Sequence, residues 1–156
     1  MIEQIVVDTN VIAHADNPIS GFQRDSKRLL IRILQRADTH LAFDRAPAST
    51  ESSNQSQILC EYLEHVNFAT PLGQNFLKSI FESNLFAVVG RTRNQREKKI
   101  IIREVSDKLD RLFLRVACMT NSRKFFSHDF DDFPQTKRTR LKRELRISFF
   151  TARNFD

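Results

Sequence analysis

The chain is 156 residues long, enough for one domain with its own core, and 40% of it is apolar, with fourteen Phe, one Tyr and no Trp. No apolar run approaches the roughly 20 residues that a membrane-spanning helix needs, and the first residues lack the basic region and small-residue cleavage site of a secretion signal, so a cytoplasmic protein is expected. The net charge of +6 is concentrated in two segments, Arg91 to Lys99 at +4 and Pro134 to Asp156 at +5, on a mildly acidic remainder.

Ile5 to Val7 reads as a short buried strand that ends abruptly in Asp8, Thr9 and Asn10. Asn17-Pro18 and Gly21 mark a turn, after which Leu29, Leu30, Ile33, Leu34 and Ala37 recur at helical spacing. Thr39 to Phe43 is a second strand, closed by Asp44 and followed by a Pro/Ser/Thr-rich loop that ends near Ser53. Leu59, Tyr62, Leu63 and Val66 form a second helical stripe. Pro71 and Gly73 punctuate the chain before a third, with Phe76, Leu77, Ile80 and Phe81, and Leu85 to Val89 is a third strand.

Ser106 is a candidate cap for a helix carrying Leu109, Leu112, Phe113, Val116 and Ala117, with Asn121 as its stop. Lys124 to Ser127 is a fourth strand running into Asp129, and Leu145 to Phe150 a candidate fifth. Arg91 to Lys99 and Gln135 to Arg146 carry no apolar pattern strong enough to fix their structure. Strands alternating with helices imply an α/β domain with a parallel sheet covered on both faces. Cys60 and Cys118 sit among apolar neighbours without zinc or redox spacing, and both are expected to be reduced core residues.

Four acids carry the chemistry. Asp8 and Asp129 each follow a strand, Asp110 lies early in a helix and Glu61 lies within one, so all four can reach the carboxyl end of a parallel sheet. Carboxylates that converge raise each other's pKa values, and a divalent cation relieves that cost. Taken singly, each acid has an ordinary reading: Asp110 as a charge favouring a helix start, Glu61 as a surface partner for a base.

Together these residues resemble the PIN-domain family of metal-dependent ribonucleases. Val7-Asp8-Thr9-Asn10-Val11 matches the family's first motif; Ile58-Leu59-Cys60-Glu61-Tyr62 resembles the second, Asp110 with Ala117 the third, and Ser127-His128-Asp129 the fourth. The resemblance implies a single three-layer α/β/α domain over residues 1–156, whose four acids hold Mg²⁺ or Mn²⁺ and hydrolyse RNA to 5′-phosphate and 3′-hydroxyl ends. It further implies Asp8 and Asp129 as principal ligands, Asp110 as a direct or water-mediated ligand, and Glu61 as an outer ligand that orients water. Thr9, Asn10 and Ser127 would orient those acids or touch the scissile phosphate.

Substrate grip is expected from the basic segments, with Arg91, Arg93, Arg138 and Arg140 foremost; contacts of this kind give salt-sensitive affinity and little sequence choice. Asp44, Asp107, Asp131, Asp132 and Glu64 are rival acids. His128 stands where the family more often has Asn or Asp, and space-filling is its expected role. A toxin paired with an antitoxin protein, and a homodimer, are the partnerships the resemblance suggests. A catalytically silent nucleic-acid-binding or scaffold protein and a structure-specific DNase are the alternatives. A dehalogenase-like phosphatase is disfavoured because no second Asp stands two residues after Asp8.

Overall fold

A computed structural model describes residues 1–45, 56–65 and 71–155. Five strands, β1 (Glu3–Val7), β2 (Thr39–Phe43), β3 (Phe86–Val88), β4 (Lys124–Phe126) and β5 (Ser148–Phe150), form one all-parallel sheet in the order β3-β2-β1-β4-β5. Parallel strands need long crossovers, and each one here contains helix: α1 (Thr9–Ala15) and α2 (Gln23–Gln35) before β2, α3 (Gln57–His65) and α4 (Pro71–Glu82) before β3, α5 (Gln95–Glu104) and α6 (Lys108–Ala117) before β4, and α7 (Gln135–Leu145) before β5. The result is a three-layer α/β/α sandwich, as the alternation of elements predicts. No described helix is long and apolar enough to cross a membrane.

The central strand explains the sheet. Ile5, Val6 and Val7 are wholly buried, the continuous apolar run expected of a parallel strand covered on both faces. α6 packs on β1, β2 and β4, and α1 to α4 pack on one another. Phenyl rings fill much of the interior: Phe125 meets Phe133, Phe149 and Phe113, and Phe113 leads through Tyr62 to Phe43. The Tyr62 hydroxyl donates to the Val7 carbonyl, which pins α3 to the strand end beneath Asp8.

Several elements differ from their sequence-based outlines. The seven-residue α1 begins directly after Asp8, where the sequence suggests only a turn further on. α5 and α7 form from the two segments that lack a clear apolar stripe; each buries only a few side chains, Ile100 and Ile101 in α5, Arg138, Leu141 and Leu145 in α7. Pro71 and Gly73 do not break the chain. Pro71 opens α4, a position that needs no N–H, and the Gly73 N–H donates to Asp16 at the end of α1. α6 is capped by Asp107 rather than Ser106, because the Asp107 carboxylate accepts from the N–H groups of Leu109 and Asp110 at 2.8 and 3.0 Å. Gly90 turns the chain out of β3 at φ 79°, a conformation that costs other residues strain.

Cys60 is exposed on α3 and is no core residue; Cys118 is buried, and burial pushes its thiol up to about 12, so it is inert. The expected loop through Ser53 and the Val66 end of the second stripe lie outside the described residues.

Candidate active site

The chain moves outward from β1 to β2 and β3, then returns to place β4 on the other side of β1. That reversal is a topological switch point, where strand carboxyl ends diverge and leave a crevice. Asp8 leaves β1 at this point and Ser127-His128-Asp129 leaves β4 beside it; the Asp8 N–H donates to the Phe126 carbonyl at 2.8 Å. Because α6 leads into β4, its first turn lies at the same end of the sheet and brings Asp107 and Asp110.

Asp8 is 7% exposed and tightly held. Its Oδ2 accepts from Ser127 Oγ at 2.8 Å and Asn10 Nδ2 at 3.0 Å. Asn10 also accepts the His128 N–H through Oδ1, and Ser127 Oγ accepts the Asp129 N–H at 3.1 Å. Asn10 and Ser127 therefore lace the ends of β1 and β4 together around one carboxylate. Ser127 is wholly buried, so it orients Asp8 and does not face a substrate. Thr9 is also buried, and its hydroxyl has no partner among the described residues.

Electrostatics make Asp8 and Asp110 unusual. Burial pushes the Asp8 carboxyl up to about 6, with Asp129 adding to it, against the opposing bonds from Ser127 and Asn10. Asp110 is pushed up to about 7, first by burial and then by the charges of Asp8, Asp107, Asp132 and Asp129. Asp132 is raised chiefly by the charge of Asp129, then by burial. Asp129 spends Oδ1 on the N–H groups of Asp131 and Asp132 at 3.0 and 2.8 Å. Among the described residues no base pairs with Asp8 or Asp110, and Asp110 accepts no hydrogen bond there.

Glu61 stands at the rim. Its carboxyl is raised by partial burial and by Glu64 and Asp107, and it pairs with His65 at 3.3 Å. Glu61, Glu64 and His65 form the set of three acid and imidazole groups that approach within 4.8 Å of one another among the described residues, an arrangement that spacings of one helical turn produce on any helix surface. Asp8, Asp110 and Asp129 feel each other's charge but stand further apart.

The rival acids separate by their contacts. Asp44 lies at the end of β2 and caps α3, accepting from Ser56 Oγ at 2.8 Å and from the N–H groups of Gln57 and Ile58, and it pairs with Arg91 at 2.8 Å. Burial alone would raise its carboxyl, but Arg91 and these donors outweigh burial and hold it below the usual value. Asp107 is occupied as a cap, which leaves Asp110 as the α6 acid free to act.

His128 fills space as expected. Its ring stacks on Phe22 with centroids 4.3 Å apart, its Nε2 meets Ser26 Oγ at 3.0 Å, and burial followed by the neighbouring His14 lowers its pKa to about 4. It is neutral at physiological pH and contributes no charge to a phosphate.

Three of the four arginines expected to grip substrate are committed elsewhere. Arg138 is buried at 6% exposure and donates to the carbonyls of Phe133, Asp129 and Ser127, so it braces the loop that carries Asp129 and is not a substrate contact. Arg91 pairs with Asp44, and Arg140 with Glu104 at 3.0 Å. Arg93 remains exposed. Sequence reading overlooked Phe130, which is 45% exposed beside Asp129, with the Arg138 guanidinium 4.0 Å from its ring centroid. It also overlooked Lys108, Arg111 and Arg115, which are spaced along α6 and so form no charge run.

The donor set at the switch point is carboxylate oxygen throughout, the hard ligands that Mg²⁺ and Mn²⁺ prefer, and two of its members carry uncompensated burial and repulsion that a cation would relieve. The chemistry of these donors suits a divalent ion, while the three carboxylates do not close to within 4.8 Å of one another. No protein-family model, no curated protein and no solved structure matches this chain.

Proposed function

We propose that the protein is a metal-dependent endoribonuclease whose centre is built from Asp8, Asp110 and Asp129. The observation that carries this reading is the convergence of Asp110 with four other aspartates in one crevice without an opposing base among the described residues, which pushes its carboxyl up to about 7. Structural acids acquire partners, as Asp44 does; acids kept unpaired at a ligand-binding crevice are kept for a ligand. The PIN-like order of motifs around Asp8, Glu61, Asp110 and Asp129 agrees with this reading.

The three aspartates would hold the ion, with Asp132 near enough to add charge. A bound Mg²⁺ or Mn²⁺ would supply charge for the scissile phosphate and a more acidic water. The chain's own residues do the rest. Ser127 and Asn10 fix the Asp8 carboxylate, Arg138 fixes the Asp129 loop, and Glu61, raised above its usual range at the rim, is suited to accept a proton from attacking water. Phe130 offers an exposed ring on which a base can stack, worth about 1–3 kcal/mol to a single strand. A toxin role beside an antitoxin, and a homodimer, belong to the same proposal.

The test is to incubate purified protein with end-labelled single-stranded RNA and DNA, with Mn²⁺ or with chelator, beside Asp8→Asn. RNA cleavage that requires Mn²⁺ and disappears in the variant is expected. Cleavage that survives chelation would overturn the metal mechanism, binding without cutting would favour the silent alternative, and cutting of DNA alone would favour the DNase.

A further inference from the structure

Helix α6 divides its charges. Asp107 and Asp110 belong to the acidic centre, whereas Lys108, Arg111 and Arg115, spaced by three and four residues, face a separate groove of about 310 Å³ between α5 and α6. Arg91 and Lys98 complete its cationic wall, Ile101 and Leu112 give it an apolar side, and no carboxylate among the described residues lines it.

Two of the cations are held in place without being neutralised. Arg111 Nε donates to the Val105 carbonyl at 2.6 Å, and Arg115 Nη2 to the Thr92 carbonyl at 3.2 Å. Arg91 is the groove member with an acid partner, Asp44; among the described residues Lys98, Lys108, Arg111 and Arg115 make no ion pair. The Nε atoms of Arg91 and Arg115 are buried and have no acceptor among the described residues. Guanidinium and ammonium groups gathered on one groove without carboxylate partners present charge that an anion there would neutralise. Gln57 lines the groove and Glu61 stands one turn further along α3 at the rim of the acidic centre, so the two places adjoin.

We propose that the groove between α5 and α6 is a phosphate-binding subsite that takes a phosphate group of single-stranded RNA beyond the cleavage point. This rests on the ribonuclease reading. The shared chemistry is a phosphate oxyanion, supplied either by an internal phosphodiester or by a 5′-terminal phosphate.

The experiment measures binding apart from cutting. Fluorescence anisotropy of a short 3′-labelled single-stranded RNA is followed in chelator across a salt series, with a 5′-hydroxyl and a 5′-phosphate form. Parent protein, Asp8→Asn, the double variant Lys98→Glu/Lys108→Glu and its milder form Lys98→Ala/Lys108→Ala are compared, with thermal melts to verify folding. Expected are binding about tenfold weaker in the Glu double variant, a smaller drop in the Ala form, and a salt slope shallower by about 0.7 for each phosphate that the variant no longer neutralises. Asp8→Asn should bind at least as tightly as the parent. A preference for the 5′-phosphate form that vanishes in the double variants assigns the groove to the terminal group; equal weakening for both forms assigns it to an internal one. Unchanged affinity in folded double variants overturns the subsite while leaving the acidic centre untouched. Failure of the parent to bind either RNA in chelator overturns the subsite, and the ribonuclease reading is then decided by the cleavage assay alone.

Discussion

Asp8 and Asp44 close neighbouring parallel strands, each following a run of buried apolar residues, yet the protein treats them oppositely. Asp44 meets a guanidinium, a hydroxyl and two backbone N–H groups at the start of α3, and these hold its carboxyl low despite burial. Asp8 meets only a hydroxyl and amide groups, lies beside Asp129 and Asp110, and is pushed up to about 6. Burial of a carboxylate is common to both. What separates a structural acid from a candidate catalytic one is whether the fold supplies the opposite charge or leaves it to a ligand.

The largest effect should come from exchanging the two charges one at a time. Asp8→Asn is expected to reduce Mn²⁺-dependent RNA cleavage by at least about a thousandfold in a single-turnover assay, because a metal ligand is removed, while the protein stays folded. Asp44→Asn should do the reverse. It leaves Arg91 without its acid and weakens the cap of α3, for a loss of about 3 kcal/mol in chemical denaturation, with cleavage by the remaining folded protein retained. If both variants lost activity and stability together, the contrast between the strands would collapse.

A smaller effect should appear with pH. Asp110 titrates at about 7 in the folded protein against a usual value of 3.8, so between these values the folded state binds more protons than the unfolded one. Metal-free stability should therefore fall as pH rises from about 4 to about 7, and Asp110→Asn should remove much of that slope. Since Asp110 keeps some solvent access, screening limits the gain of the variant at pH 8 to about 1–2 kcal/mol, or a rise of about 2–8 °C in Tm. Mn²⁺ should stabilise the parent more at pH 8 than at pH 5, because protons and metal compete for the same oxygens. Asp107→Ala should cost about 1 kcal/mol of stability through loss of the α6 cap. It should also lower the titration midpoint of Asp110, which NMR of the side-chain carboxyl would read directly.

The strand ends and their acids were legible because buried parallel strands are short apolar runs that stop at polar residues, as Val7-Asp8 and Phe126-Ser127 do. The third strand is legible as an apolar run, Leu85 to Val89, stopped by Gly90. Helices α1, α5 and α7 were not, because α1 is only seven residues long and α5 and α7 bury few side chains in otherwise charged sequence. Nor could charge runs reveal which bases meet solvent. Arg138 stands in a basic run yet is buried on carbonyl oxygens, whereas Lys108, Arg111 and Arg115 gather on a groove through helical spacing that linear counting does not detect. Between Asp107 and Asp110, the spacing to Ala117 and the early helix placement already favour Asp110, and the contacts explain why: Asp107 is taken up as the α6 cap by the N–H groups of Leu109 and Asp110.

The most direct test of the whole account is a crystal grown with Mn²⁺ and measured at the manganese absorption edge. An anomalous peak bounded by the carboxylates of Asp8, Asp110 and Asp129 at the β1–β4 switch point is the predicted result. A peak confined to Glu61, Glu64 and His65 on α3, or none within reach of Asp8, would contradict it.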